Sequence, residues 1–319
     1  MGCQTRQFTN FLALAWLLLL ALPAWGQSPA AAPQQLSWKG EVVLESDYLV
    51  PPGATLTVAA GTRVRPLRPE TRILVQGVLQ VLGTAKAPVV FAGPQGWGGI
   101  EFLAGAEGSR IEYAQFSRAR TALSSAETSF VLSHCSFKNC DTALKLLRKS
   151  GPQVTDCLFE ANGIAIDNEM RSSPLIRNNR FIGQHKAAIL ASHNSGGLID
   201  GNYFEKNHQA ISLLRPYGDG IVNNRFIENG TAISCNQTQA TPLISGNRFE
   251  NNGKALESFS FSSPQVENNS FTGNQTALHN RQLGSPRVQN NLFADNGIAL
   301  YNIRKSSPVV EKNLLKNNR

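Results

Sequence analysis

The chain has 319 residues, 41% hydrophobic and 16% charged, with a net charge of +8, 27 Gly and 16 Pro. A disordered chain is poorer in aliphatics and richer in charge, and a coiled coil carries few Gly and Pro. A single long apolar run near the start excludes a polytopic membrane protein, and 27 asparagines, 26 of them after residue 138, argue against helices, whose interiors disfavour Asn.

Residues 1–26 read as a secretory signal peptide. Arg6 gives a positive start, Phe11 to Leu22 form the apolar core, and Pro23 ends it. Ala24-Trp25-Gly26 places small residues at −3 and −1, so cleavage is expected between Gly26 and Gln27. The apolar run is shorter than the roughly 20 residues a spanning helix needs. Residues 27–35, rich in Ala, Pro and Gln, read as a linker. The expected location is secreted or periplasmic, with no transmembrane segment after cleavage. Removing residues 1–26 leaves 319 − 26 = 293 residues, and losing Arg6 lowers the charge from +8 to +7. A basic protein outside the cytoplasm meets acidic polysaccharide, lipopolysaccharide or phospholipid more readily than nucleic acid.

Residues 36–107 carry the segments VPPGATLTVAAGTRV (50–64), ILVQGVLQVLG (73–83) and WGGIEF (97–102). From residue 108 a repeat takes over. It aligns on Phe116, Phe137, Phe159, Phe181, Phe204, Phe226, Phe249, Phe271, Phe293 and Leu315, with steps of 21 to 23 residues. Five residues before each anchor stands an aliphatic, from Ile111 to Val310. Two before it stand Ala114, Cys135 and Cys157, then Asn179, Asn202, Asn224, Asn247, Asn269, Asn291 and Asn313. Three after it runs a second polar row, from Asn162 and Gln184 to Asn318, followed by an Ala-(Ile/Leu) pair.

Each copy holds short alternating segments separated by turns, and none has room for a stable helix. Asn-Gly pairs at Asn162-Gly163, Asn229-Gly230, Asn252-Gly253 and Asn296-Gly297 mark turns expected to need positive φ. One copy cannot bury its apolar face alone, but stacked copies can. Stacking at about 4.8 Å makes columns of Phe, Ile/Val and Asn, and the Asn amides then bond to one another along the axis. The fold class is therefore all-β: a single-stranded right-handed parallel β-helix solenoid of about 12–13 coils, roughly 60 Å long at that spacing. A leucine-rich repeat has a similar period but needs a Leu-x-x-Leu-x-Leu core, which this chain lacks.

On these residues the chain resembles the pectin lyase-like superfold and, within it, the NosD-type β-helix repeat of secreted bacterial proteins. The resemblance covers 108–319, with 36–107 as irregular N-terminal coils of the same solenoid. It implies that a polysaccharide enzyme of this fold would place carboxylates from adjacent coils on an exposed strand face. The Asn-Thr-Asp, Asp-Asp, Gly-His-Gly and Arg-Ile-Lys motifs of polygalacturonases do not occur here. The NosD-type likeness also implies a link to copper-site maturation of a periplasmic reductase.

Stacking puts Cys135 and Cys157 in one inward column with Cα atoms about 5 Å apart, inside the disulfide window. They are a disulfide candidate in an oxidising compartment. The other reading is a pair of buried free thiols standing in for Asn.

Inward columns build the fold, so function is sought on outward rows. The residue before each Phe anchor reads Arg180, Tyr203, Arg225, Arg248 over four coils. Guanidinium groups beside a tyrosine ring suit an anionic sugar chain. A second basic row, Arg148, Lys149, Arg171, Arg215, Arg304 and Lys305, precedes the Ser-Pro turns. After the Ala-(Ile/Leu) pair runs a row with Lys145, Asp167, Glu257, His279 and Tyr301. Asp167 and Glu169 lie two apart on one strand face, at an expected carboxyl spacing of about 7 Å, near that of inverting glycosidases. Glu257, His279, Arg281 and Tyr301 form a separate mixed patch. His185 and His208, each four after its anchor, are candidate metal ligands. No other cofactor is implied.

The leading expectation is a secreted or periplasmic, non-catalytic binder of anionic polysaccharide, or an envelope scaffold whose partner is a cell-envelope component. The alternatives are a polysaccharide lyase or glycoside hydrolase using Asp167 and Glu169, possibly with Lys145, and a copper-handling partner of a periplasmic enzyme. An uncapped C-terminal coil points to end-to-end self-association.

Overall fold

The computed structural model describes residues 34–216, 220–238 and 240–319. The signal-peptide reading of residues 1–26 lies outside the described residues, as does most of the linker. Among the described residues there is no helix, and none could cross a membrane.

The chain winds through three parallel sheets, of thirteen, thirteen and twelve strands. Each coil gives sheet A, sheet B and sheet C one strand in turn. In one coil these are Leu175–Arg177, Arg180–Ile182 and Ala187–Ser192. The first strand is Gln34–Trp38 and the last is Leu314–Lys316. The architecture is the expected β-solenoid. Partners in successive coils are the columns of the repeat: Phe181 pairs with Phe204, and Ile176 with Ile199.

Phenylalanine is stacked from Phe91 to Phe293. Ring centroids within this column stand 4.6 to 5.0 Å apart, as in Phe249–Phe271 and Phe137–Phe159. Offset-stacked aromatic pairs contribute about 0.5–1.5 kcal/mol beyond their burial. Phe91 extends the column one coil before the repeat. Its ring stacks on Phe116 at 4.8 Å, but 25 residues separate the two in sequence, because the strand Val89–Trp97 meets Ala114–Ala119 with a shift in register after this pair.

The asparagines form two ladders. Asn179 donates through its backbone N–H and its Nδ2 to Oδ1 of Asn202, at 2.9 and 3.0 Å. Its Nδ2 also donates to the Val154 carbonyl of the preceding coil, at 2.9 Å. The link repeats through Asn224, Asn247, Asn269, Asn291 and Asn313. The second ladder runs from Asn162 through Gln184 to Asn318. A buried amide is tolerable only when its donors and acceptor are matched, and each coil supplies the match for the next.

Cysteine begins both ladders. Cys157 Sγ accepts from the Cys135 N–H, and Cys135 Sγ from the Ala114 N–H, each at 3.4 Å. Cys140 stands ahead of Asn162 in the second ladder. All four described cysteines are buried, with free thiols. The Cys135 and Cys157 sulfurs stand where the ladder needs an acceptor. Burial pushes the Cys140 thiol up to about 11 and the Cys235 thiol up to about 12, so neither is a thiolate at neutral pH.

The Asn-Gly turns need correction. Positive φ falls on the residue before each Asn, at Ala161, Glu228, Asn251 and Asp295, and not on the glycine after it. Gly163 is small for another reason. A Cβ there would lie 2.5 Å from the Asp141 carbonyl of the previous coil, and at Gly230 it would lie 2.6 Å from that of His208.

Candidate functional site

Sheet C sets Lys145, Asp167, Leu190, Ser212, Ser234, Glu257, His279 and Tyr301 side by side on its outer face, as the repeat requires. Two acidic clusters stand on this row. Lys145 Nζ stands 3.2 Å from Asp167 Oδ2 and 3.5 Å from Glu169 Oε1. One ammonium therefore gathers both carboxylates. Asp167 faces outward yet is only 6% exposed, and its Oδ1 has no hydrogen-bond partner. Burial raises its pKa and the Glu169 carboxylate adds to this, while Lys145 pulls back. Burial alone would lower the Lys145 pKa, but Asp167 and Glu169 together hold it above its usual value.

Four coils on, the patch of Glu257, His279, Arg281 and Tyr301 is assembled. Glu257 Oε1 lies 2.8 Å from Lys254 Nζ, 3.2 Å from Arg281 Nε and 3.3 Å from His279 Nδ1. Burial works to raise the Glu257 pKa, but Lys254 and Arg281 outweigh it and the net shift is downward. Burial, then Lys254, lowers the His279 pKa against the pull of Glu257, so the imidazole is neutral at pH 7. Its Nε2 is buried without a partner. Tyr301 packs on the imidazole at 5.2 Å, and the Arg281 guanidinium lies 3.9 Å from the centre of the Phe259 ring. Lys254 and Phe259 also belong to this cluster.

The outer row of sheet B also forms in register, Arg180 beside Tyr203, then Arg225, then Arg248. The Arg180 guanidinium sits 5.0 Å from the centre of the Tyr203 ring. Carboxylates from the next outward position cut its positive charge. Arg225 is held in a fork by Glu250, at 3.1 and 2.8 Å, and the Tyr203 hydroxyl donates to Glu205 at 3.2 Å. Arg248 is exposed. Among the described residues, Arg180, on its ring, and Arg248 form no salt bridge.

This row runs into a groove that the sequence reading missed. A depression of about 480 Å³ follows the edge between sheets A and B, walled by the loop at Thr84 and Pro88. Its floor is one turn column, Tyr113, His134, Asp156 and Asn178, beside Leu158 and Arg180. The Tyr113 and His134 rings stack at 4.6 Å, 14° from parallel. Every residue of this column has positive φ, 48° at Tyr113, 54° at His134 and Asp156, and 56° at Asn178. In later coils the same position is Gly201, Asn223, Gly246, Asn268 and Asn290. Those types enter the left-handed region readily, whereas a bulky ring such as that of Tyr113 does so at a cost. That mismatch shows only once the turn conformation is known.

His185 and His208 lie on exposed second turns of adjacent coils. Among the described residues no three His, Cys, Asp or Glu side chains gather as a metal set.

The family model described as "right handed beta helix region" matches residues 96–215, 122–271 and 217–319, and the chain belongs to that family. No curated protein matches it in sequence. Among solved structures it is similar to the A-module of the Azotobacter vinelandii mannuronan C-5 epimerase AlgE6, at 12% identity and a TM-score of 0.54, covering 88% of this chain and 90% of that one. It is also similar to the periplasmic alginate epimerase AlgG, at 12% identity and a TM-score of 0.43, covering 89% of this chain and 79% of that one. A third is the Streptococcus pneumoniae surface protein and adhesin PfbA, at 11% identity and a TM-score of 0.38, covering 89% of this chain and 91% of that one. At these identities the likeness is one of fold.

Proposed function

We propose that this protein acts outside the cytoplasm as a non-catalytic binder of an extended acidic glycan, laid along the outer face of sheet B. One end of the glycan occupies the groove over Tyr113 and His134, and the chain then crosses Arg180, Tyr203 and Arg248. The observation that carries this reading is the continuity of the groove with the Arg180–Tyr203 platform. The groove floor ends at Arg180, and the guanidinium lies on the next aromatic ring at 5.0 Å. A ring with a cation beside it gives a sugar an apolar face to lie on and its carboxylate a partner. A signal-peptide-like start and a protein of the same fold that acts on mannuronan support the same setting. Calorimetry with alginate and polygalacturonate oligomers tests it. Binding should appear at low salt, weaken as salt rises, and fall at least about tenfold in Arg180→Gln with Tyr203→Ala, on the scale of one cation–π pair and one aromatic contact. No binding to either acidic glycan, or the same affinity in the double variant, rejects it.

A catalytic reading, as lyase or hydrolase, has one observation in its favour. His279 is neutral, with an unpartnered Nε2, beside the cation Arg281. That arrangement suits proton transfer at a uronate whose carboxylate Arg281 neutralises. Release of unsaturated uronate or new reducing ends, abolished by His279→Gln, would establish it. No product from any acidic glycan with the unaltered protein rejects it.

A further inference from the structure

The turn from sheet C back to sheet A carries a second set of side chains that the glycan face does not use. Among the described residues, six of these turns hold two successive residues at positive φ. Three of them are bulky apolar residues left in the open. Phe261 (φ 67°) is 72% exposed, Met170 (φ 54°) 47% and Leu283 (φ 65°) 38%. Phe261 is the most exposed large hydrophobic side chain among the described residues. Bulky side chains are genuine outliers in the left-handed region, and exposing them gains nothing in an isolated fold.

Around them the turns are basic. Arg148, Lys149, Arg171, Arg215, Arg304 and Lys305 all sit at these turns. Their described residues from Arg148 to Pro308 include one acid, Glu169, whose carboxylate is engaged by Lys145 at 3.5 Å; Asp219 lies outside the described residues. Arg148, Lys149 and Arg171 line a depression of about 560 Å³ with Met170 on its wall. One carboxylate, Glu127 of the preceding turn, reaches Arg148 at 3.4 Å. The turns stack on each other through backbone bonds, Lys149 to Met170, Phe261 to Gln282 and Leu283 to Arg304. These side chains therefore form one straight ridge parallel to the solenoid axis.

We propose that this ridge docks the protein on an anionic membrane surface. Phe261 and Leu283, on adjacent coils, enter the headgroup region. The flanking cations engage lipid phosphates, and the depression at Arg148, Lys149 and Arg171 takes one headgroup. A soluble polyanion would explain the cations alone. It would leave Phe261, Leu283 and Met170 without a role, whereas an interface with an apolar interior beneath a charged layer uses both kinds of side chain. The ridge and the glycan face belong to different turns, so the two readings fail independently.

The test is co-sedimentation of the purified protein with vesicles of phosphatidylcholine alone and of phosphatidylcholine with phosphatidylglycerol. Binding is expected on the anionic vesicles at low salt and not on the neutral ones. Arg304→Gln with Lys305→Gln should weaken it roughly tenfold or more, at about fivefold for each surface cation. Phe261→Asn with Leu283→Asn should weaken it about tenfold, the scale of part-burying two apolar side chains. Asn suits the left-handed turn, so those variants should melt no lower than the unaltered protein, which separates lost docking from lost folding. The proposal is overturned by equal binding to neutral vesicles, by no binding to anionic ones, or by full binding in the Phe261/Leu283 variant. Binding to polygalacturonate that needs Arg304 and Lys305, without vesicle binding, overturns it in favour of a polyanion.

Discussion

At the turn from sheet A to sheet B the chain meets the same backbone demand ten times, from Tyr113 to Lys312, always with positive φ. From Gly201 to Asn290 it answers with Gly or Asn, the residues that meet that demand most cheaply. At Tyr113, His134 and Asp156 it answers with side chains that gain nothing from the turn and line a groove instead. Identical backbone with different residues marks where to look for a site: the five turns from Gly201 to Asn290 take the cheap residue, and none of them lines the groove. A strained position is a reason to look for function, and here a groove with stacked rings lies at the strained end alone.

The comparison is broken most severely on the scaffold side. Asn224→Ala removes Oδ1, the acceptor for both the Asn202 N–H and its Nδ2, and leaves the Ile199 carbonyl without its side-chain donor. At about 1–3 kcal/mol for each orphaned buried group, the loss is about 3–5 kcal/mol. Urea unfolding should show it.

Next in size is the contrast between two carboxylates of equal depth. Asp167 and Glu257 share the outer row of sheet C and are 6% and 7% exposed. Their pKa values move in opposite directions because Glu257 has Lys254 and Arg281, while Asp167 shares one Lys145 with Glu169. The folded pKa of Glu257 is depressed. Its ionised form therefore contributes stability above the unfolded value of 4.5, and this is lost as pH falls through the folded value. Glu257→Gln should cost about 1–3 kcal/mol at pH 7, the range for a hydrogen bond to a charged group. That deficit should shrink toward zero in acid. Asp167 has a raised pKa, so the folded state holds its proton more tightly than the unfolded one. Its contribution falls as pH rises from the unfolded value of 3.8 through the folded value. Asp167→Asn should therefore be neutral or stabilising at pH 7. Denaturant melts of both variants from pH 3 to pH 8, as rough bounds on the carboxylate range, check the opposite slopes.

On the site side, Tyr113→Asn with His134→Asn inverts the scaffold result. The left-handed cost of about 1 kcal/mol per residue is relieved, and a stacked pair worth about 0.5–1.5 kcal/mol is lost. Stability should stay within about 1 kcal/mol of the starting value on that balance. Acidic-glycan affinity should drop about tenfold, the scale of one lost aromatic platform. A variant that keeps its affinity removes the groove from the binding face, whatever becomes of Arg180 and Tyr203.

What the sequence discloses follows from what repeats. The Phe and Asn columns recur at a fixed interval, so their stacking was legible down to the residue. Phe91 stands outside because an irregular strand separates it from Phe116. The Glu257–His279–Arg281–Tyr301 patch was legible, because strand alternation and register are both periodic. The burial of Asp167 was not. Alternation says only that a side chain leaves the core, and a long neighbour such as Lys145 then covers it. The groove was illegible for a different reason. Its residues share no chemistry with their column, and the backbone conformation that makes them anomalous is known only once the coils are stacked.

The smallest effect tests how far that register can be trusted as a rule for substitution. The alignment puts Cys157 where later coils have Asn, and the Cys135 N–H reaches its sulfur at 3.4 Å. The same N–H in the Asn coils finds Oδ1 at 2.9 Å. The thiol approaches the Leu132 carbonyl only at 3.9 Å, a weak contact where an Asn amide would sit near 2.9 Å, as it does at Val154. Cys157→Asn would replace two weak sulfur contacts with two amide bonds and add little volume. A net amide hydrogen bond contributes about 1 kcal/mol, so a gain of about 0.5–1 kcal/mol is expected after the cost of fitting the larger side chain. Thermal melts should show a small rise. A fall would mean that the first ladder ends in cysteine because the inward space at that coil is too narrow for an amide, and that register alone does not license the exchange.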